Sequence, residues 1–194
     1  MPPLILASTS QYRKILLARL RLPFETRSPN VDETARPGEA PRDLALRLAS
    51  AKAHAVARDF TDALVIGSDQ VAHCEGQVMG KPGNYERATQ QLRAMRGKTT
   101  LFDTALCLID AKSGREQLLL VPTKVRLRDL SDAEIDAYLR AEEPYDCAGS
   151  AKSEGLGIAL MEAIEGDDPN ALVGLPLIAL VTMLRAEGVQ LPGA

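Results

Sequence analysis

Leu4-Ile5-Leu6-Ala7 running straight into Ser8-Thr9-Ser10 is the stretch that most restricts this chain. Four apolar residues make a short buried strand, and three successive hydroxyls offer a helix N-cap at any of their positions. Ile15, Leu16 and Leu20 then follow with helical spacing. The order is strand, hydroxyl-rich turn, helix N-terminus. Unpaired backbone N–H groups and the helix dipole favour an anion at such a place. Arg13 and Lys14 fall in or near the first turn, where cations are electrostatically misplaced unless an anion joins them. Two readings fit: a phosphate cradle, and an ordinary capped helix with a solvated basic face.

The 194 residues suit one domain, or one domain with two lobes. A hydrophobic share of 45% is enough for a sizeable core, and with 4% aromatics and no Trp that core is built from Leu, Ala, Ile and Val. Lys plus Arg number 23 against 26 Asp plus Glu, a net charge of −3. That balance argues against a nucleic-acid polymer as partner, and leaves room for a local basic pocket around a small phosphorylated ligand. Cys74, Cys107 and Cys147 are far apart with no C-x-x-C, and no secretory leader pattern is evident, so reduced thiols in a cytoplasmic protein are expected. His54 and His73 are the only histidines, which argues against a His/Cys zinc site. No apolar run approaches the roughly 18 residues of a membrane span, so no membrane partner is expected. The stretch from Leu172 to Leu184 is shorter and is interrupted by Gly174 and Pro176.

Strand and helix patterns alternate. Strands are predicted at Leu4–Ala7 and Phe24–Arg27, and at Ala63–His73 with a break at Gly67-Ser68-Asp69-Gln70. Two more, Thr99–Asp110 and Gln117–Arg128, are joined as a hairpin through Lys112-Ser113-Gly114, and Ile158–Ile164 is a further candidate. Helices are predicted over Gln11–Leu20, Pro41–Phe60 and Asn84–Met95. Another runs from the Ser131/Glu134 capping box to Glu142, and the last covers Pro176–Glu187 with Gly188 just beyond. Ser28 to Pro41 and Asp146 to Gly157 read as polar loops. The class is α/β with a mixed sheet and flanking helices, and the hairpin half, roughly residues 68–140, is the candidate smaller lobe.

Asp69 follows an apolar strand and a Gly-Ser pair, a place for a metal-binding or proton-transferring carboxylate, or for a turn-forming Asp. Asp32 and Glu33 are adjacent loop acids. A loop acid with a strand acid suits Mg²⁺ or Mn²⁺, which take oxygen ligands and share their coordination with substrate phosphates. Lys52 lies among Ala51, Ala53 and Ala55, small neighbours that let an ammonium cross toward a site, or snorkel to solvent. Lys81 sits in the rigid turn Gly80-Lys81-Pro82-Gly83. Cys147 to Gly155 is small and polar, a ligand-approach loop or a flexible linker. The chain contains neither a Walker A loop nor G-x-G-x-x-G, so P-loop and dinucleotide Rossmann readings fail.

Together and in order, Leu6-Ala7-Ser8-Thr9-Ser10…Arg13, Val31-Asp32-Glu33, Lys52-Ala53, Gly67-Ser68-Asp69-Gln70, Gly80-Lys81-Pro82, Cys147-Ala148-Gly149-Ser150 and Asn170…Val173-Gly174-Leu175-Pro176 resemble the Maf family of nucleoside triphosphate pyrophosphatases. The match runs from Leu4 to about Gly188. The resemblance implies a cytoplasmic enzyme with an elongated α/β fold and two lobes around a cleft, related to the inosine triphosphate pyrophosphatase fold. It also implies a divalent metal, a homodimer, and conversion of a nucleoside triphosphate to the monophosphate and pyrophosphate. Carried over, Ser8, Ser10, Arg13, Lys52 and Lys81 would hold phosphates, Glu33 and Asp69 would serve the metal, and Asp69 would accept the proton.

The family branch acting on dTTP and UTP usually carries Arg, Thr and Gln where this chain has Tyr12, Gln70 and Glu154. The present trio looks like the branch linked to 7-methyl-GTP. N7-methylated guanine is cationic, which suits an aromatic ring, and Glu154 can accept from guanine N1–H and the 2-amino group. Tyr12 also fits a helix residue packed on the core. The expected reaction is in-line attack of water on the α-phosphorus, with Asp69 as base and Arg13, Lys52 and Lys81 offsetting charge on departing pyrophosphate. Alternatives are a dTTP/UTP pyrophosphatase of the same family, a nucleotidyltransferase, and a non-enzymatic nucleotide sensor linked to cell division.

Overall fold

Leu4–Ala7 forms the first strand, β1, with all four residues buried, and Gln11–Ala18 forms the helix α1 with Ser10 as its N-cap. A computed structural model describes residues 2–192 of the protein. After α1 come β2 (Glu25–Arg27), α2 (Pro41–Ala57), β3 (Leu64–Cys74), β4 (Gln77–Met79) and α3 (Tyr85–Met95). Then follow β5 (Thr99–Asp110), β6 (Glu116–Leu127), α4 (Asp132–Glu142), β7 (Met161–Glu165) and α5 (Leu177–Ala186). The strand order is β2-β1-β3-β5-β6-β7, with β4 paired to β3. β1 pairs parallel with β2 and with β3, whereas β3/β4 and β6/β7 are antiparallel. The sheet is therefore mixed, as expected for an α/β chain in which crossover helices alternate with hairpins.

The chain divides into two compact units. One comprises residues 1–69, 104–121 and 168–194, the other residues 70–103 and 122–167. In the first unit, Leu4, Leu6, Leu64, Ile66, Leu106 and Leu108 on the strands pack with Leu16 and Leu17 of α1 and Leu177, Leu180 and Leu184 of α5. On the other side of β1 and β3, Ile5, Ala7 and Val65 pack with Val56 of α2. β1 and β3 are thus apolar on both sides, which is why their sequences read as continuous hydrophobic runs. Fully burying each Leu or Ile contributes about 1.5–3 kcal/mol. In the second unit α3 packs on α4. Leu92, Met95, Phe102, Ile135 and Leu139 are buried.

The capping box of α4 forms as predicted: Ser131 Oγ accepts from the Glu134 N–H, and Glu134 Oε2 accepts from the Ser131 N–H. The hairpin turn between β5 and β6 closes through Asp110 N–H to Arg115 O. The helices α1 and α2 end at Ala18 and Ala57, short of the Leu20 and Phe60 expected, and three features differ in kind. β7 starts at Met161, because Leu156–Leu160 coils into a 3₁₀ turn ahead of it. Pro176 is the N-cap of α5 and not a residue of its first turn. β3 is not broken at Gly67-Ser68-Asp69-Gln70 but runs unbroken to Cys74. Among the described residues, no helix is long and apolar enough to cross a membrane.

Candidate active site

Gly67 explains why a strand can carry polar residues through its middle. A Cβ at Gly67 would lie 2.2 Å from the carbonyl oxygen of Ala49 and 2.7 Å from the amide nitrogen of Ala53, so β3 and α2 touch backbone to backbone there. Ala53 and Ala49 are fully buried beside it. This close approach places Lys52, on the same helix, against Asp69, two residues further along the strand. Asp69 therefore sits in the interior of β3, not at a strand end as the sequence suggested. It is 7% exposed there, with Lys52 of the helix against it, so the polar stretch does not terminate the strand.

Lys52 Nζ lies 2.6 Å from Asp69 Oδ1 and 2.6 Å from Glu33 Oε1. The ammonium is thus the link that brings the loop acid and the strand acid together. Lys52 has not snorkelled: it is only 5% exposed. Burial raises the pKa of Asp69 above the ordinary carboxylate value, and Glu33 adds to the rise, while Lys52 and Arg13 oppose it. The carboxylate is poised between desolvation and two cations, the balance expected of a proton acceptor.

The serine turn is built around its own hydroxyls. Ser8 is buried, and its Oγ accepts from the Ser10 N–H at 3.1 Å. Ser10 Oγ accepts from the Arg13 N–H at 3.4 Å, the N-cap bond of α1. No acidic residue occupies the first turn of α1, so its N-terminus stays positive. Arg13 Nε donates to the Gly174 carbonyl at 2.8 Å. Burial lowers the pKa of Arg13, with Asp69 and Glu33 opposing, so guanidinium and carboxylates belong to one electrostatic cluster. Tyr12 stands beside Arg13 at the start of α1 and is half-buried.

Glu33 is carried by an irregular loop that is held from α2. Arg47 donates from Nε to Glu39 Oε1 at 2.6 Å and from Nη2 to Glu39 Oε2 at 2.8 Å, and Nη2 also reaches the Thr34 carbonyl at 3.1 Å. This fork holds the Glu39 carboxyl down at about 2. Asp32 is turned to a local task, accepting from the Thr34 N–H at 2.9 Å.

Three of the predicted residues belong to the second unit. Gln70 follows Asp69 in β3 and is half-buried. Lys81 is exposed on a turn fixed at both flanks: the Gly80 carbonyl accepts from Gln91 Nε2 at 2.9 Å, and the Gly83 N–H donates to Tyr145 O at 3.0 Å. Glu154 is exposed in the loop before the 3₁₀ turn, with Ser153 Oγ 3.4 Å from its Oε2. Ser8, Ser10, Tyr12, Arg13, Glu33, Lys52 and Asp69 all lie in the first unit.

Residues that sequence reasoning gave no role also build the first-unit cluster. The Gly174 carbonyl receives Ser68 Oγ at 3.0 Å as well as Arg13. Asp168, 3% exposed, accepts from the Asn170 and Ile178 N–H groups and so ties the Gly174 loop to the start of α5. Asp followed two residues later by Asn was the available signal, an Asx-type turn.

Glu33 and Asp69 supply hard oxygen donors, the type a Mg²⁺- or Mn²⁺-sized cation takes from one or two carboxylates when phosphates complete its shell. Among the described residues no group of three or more His, Cys, Asp or Glu forms a metal cage by itself. The donor set fits a cation that arrives with a phosphorylated substrate.

A family model described as Maf-like protein matches residues 3–187. A protein of Albidiferax ferrireducens called 7-methyl-GTP pyrophosphatase is 60% identical over 191 residues, covering 98% of this chain and 96% of the relative. One of Polaromonas sp. with the same name is 62% identical, covering 97% of this chain and 86% of the relative. One from Methylobacillus flagellatus, again so named, is 57% identical, covering 98% and 99%. With the match running through the serine turn, the Lys52–Asp69 pair and the Gly174 loop alike, this chain belongs to the Maf family.

Proposed function

We propose that this protein hydrolyses the α–β phosphoanhydride of 7-methyl-GTP, giving 7-methyl-GMP and pyrophosphate. The observation that carries the chemistry is Lys52 Nζ at 2.6 Å from both Asp69 and Glu33, a buried cation shared by two carboxylates beside a helix N-terminus that lacks acidic residues. The choice of nucleotide is supported by the names of the relatives at about 60% identity and by Tyr12, Gln70 and Glu154.

In this reading the positive end of the α1 dipole, the hydroxyls of Ser8 and Ser10, and the cations Arg13, Lys52 and Lys81 bind the triphosphate. Asp69 takes the proton from a water as its oxygen bonds to the α-phosphorus. The bond from that phosphorus to the bridging oxygen breaks, and the electron pair leaves with pyrophosphate. The raised pKa of Asp69 strengthens it as a base, and Lys52 keeps it ionised. Glu33 and Asp69 would hold a divalent cation, which when bound neutralises phosphate charge and acidifies water. Tyr12 offers a ring face to the cationic base, and Glu154 accepts from its N1–H and 2-amino group.

The reading extends to a cytoplasmic homodimer. The thiols of Cys74, Cys107 and Cys147, none in a disulfide, support the compartment. The dimer rests on the family resemblance.

The test is pyrophosphate release from 7-methyl-GTP, GTP, dTTP and UTP with Mg²⁺ and with Mn²⁺. Preference for 7-methyl-GTP is expected. Preference for dTTP or UTP would keep the family and overturn the roles of Tyr12, Gln70 and Glu154, and no release from any of them would overturn the activity.

A further inference from the structure

Glu142 closes α4, and its carboxylate holds both ends of the loop segment that contains Glu154. Oε1 accepts from Lys152 Nζ at 3.0 Å, and Oε2 accepts from the Leu156 N–H at 2.8 Å. Two residues before Glu154 and two after it are thus fixed to one side chain. Gly155 passes so close that a Cβ there would lie 2.8 Å from Glu142 Oε2. The loop also closes on itself: a Cβ at Gly157 would lie 2.4 Å from the Lys152 carbonyl oxygen, and the Gly155 N–H donates to that carbonyl at 3.1 Å. One turn back along α4, Tyr138 is 3% exposed, and its hydroxyl accepts from the Lys152 N–H at 3.0 Å. Glu142 and Lys152 are largely covered, with side chains 18% and 23% exposed, whereas Glu154 is exposed. Every anchor belongs to the second unit, and none belongs to the Lys52–Asp69 cluster.

We infer that Glu142 is a positioning residue for nucleobase selection: it presents Glu154 to the base, with Tyr138 as a second post. The inference rests on the reading of Glu154 as the base-recognising carboxylate. Its physical content is preorganisation. An exposed carboxylate on a loose loop must be ordered by the substrate it selects, and that ordering opposes binding. A loop pinned on both sides of Glu154 has been ordered by folding. The closed loop also explains Gly157, where a Cβ would meet the Lys152 backbone, whereas at Gly155 a Cβ would meet only the end of the Glu142 side chain.

The experiment compares wild type, Glu142→Gln, Tyr138→Phe, Glu154→Gln and the Glu142→Gln/Glu154→Gln double variant for kcat and KM on 7-methyl-GTP and on UTP. A glutamine at 142 keeps an acceptor for Leu156 but cannot neutralise Lys152. If Glu142 acts through Glu154, Glu142→Gln lowers the preference for 7-methyl-GTP about tenfold, the scale of one base-edge contact, mainly through KM. Its kcat/KM on UTP stays within about twofold, and it adds nothing to the loss already caused by Glu154→Gln. Tyr138→Phe, which keeps the buried ring, lowers the preference in the same direction. An unchanged preference in both single variants overturns the inference, as does an equal loss on both nucleotides. Should Glu142→Gln not fold, Tyr138→Phe decides. Wild-type protein releasing no pyrophosphate from 7-methyl-GTP overturns the proposed function itself, a result separate from the behaviour of the variants.

Discussion

Lys52 and Asp69 form an ion pair out of solvent, Nζ 2.6 Å from Oδ1, with side chains 6% and 9% exposed. Removing one partner of such a pair leaves the other as a buried uncompensated charge, which costs about 3 kcal/mol or more. Lys52→Met is therefore expected to destabilise the protein by about 3 kcal/mol in urea unfolding near neutral pH. The sign of its pH dependence follows from Asp69. Without Lys52 the folded-state pKa of Asp69 rises still further above its unfolded value. Stability linked to the protonated form is present below the unfolded pKa and is lost as pH rises through the folded one. The deficit relative to wild type should be larger at about pH 8 than at about pH 5. A deficit independent of pH would show that lost packing, not charge, is responsible.

Asp69→Asn keeps the shape and an acceptor for Lys52 but removes the base. We expect kcat to fall about a hundred- to ten-thousandfold, with nucleotide binding by calorimetry largely retained. Wild-type activity should rise with pH as Asp69 ionises, on a limb displaced above the ordinary carboxylate value of 3.8 because burial raises this group. The variant's residual rate should lack that limb. An Asp69→Asn enzyme with near wild-type kcat would remove Asp69 from the proton-transfer role.

Gly67→Ala tests the backbone contact beneath that pair. The added carbon must displace Ala49 or Ala53 of α2, both backbone obstacles and not flexible tips. We expect a loss of at least about 1–3 kcal/mol in stability and a drop in kcat, since the same shift moves Lys52 away from Asp69. Gly80→Ala is the contrast: nothing lies within 4 Å of its Cβ and its φ is not left-handed, so its melting temperature should barely change. Equal effects of the two would refute the steric account.

Gly67 also marks where the sequence could and could not be read. The elements with strong local signals came out as expected, among them the apolar run of β1, a hydroxyl cap for α1 (Ser10, of the three candidates), the capping box at Ser131 and the turn at Lys112-Ser113-Gly114. The break assigned within β3 did not, because Gly67, Ser68 and Asp69 look like turn residues to any local rule. Only the neighbouring helix, absent from local sequence, makes a glycine in mid-strand a contact point and a carboxylate there a buried group. Lys52 was legible as a candidate from its alanine neighbours, but its two partners lie 17 and 19 residues away along the chain and no spacing rule joins them. Gly174 stood only in the family motif and Asp168 offered only an Asp-x-Asn turn signal, because their work is done by a backbone carbonyl and a carboxylate directed at main-chain N–H groups.

Asp168 leads to the last prediction. Its Oδ1 accepts from the Asn170 N–H at 2.9 Å and from Asn170 Nδ2 at 3.1 Å, and its Oδ2 accepts from the Ile178 N–H at 2.6 Å. Asn170 in turn accepts from Arg19, the C-cap of α1, and Thr104 Oγ1 donates to the Ala171 carbonyl at 2.9 Å. The loop is thereby fixed at three points before it reaches Gly174, whose carbonyl orients Arg13. Asp168→Ala removes a carboxylate acceptor from a buried place and should cost about 2 kcal/mol in stability. Because Arg13 loses its fixed partner, the KM for nucleotide should also rise several-fold while kcat changes little, Asp69 and Lys52 being untouched. Asp168→Asn retains one good acceptor oxygen and should fall between wild type and Asp168→Ala in both measurements. A stability loss with KM unchanged would reduce Asp168 to a cap for α5 and detach the Gly174 loop from phosphate binding.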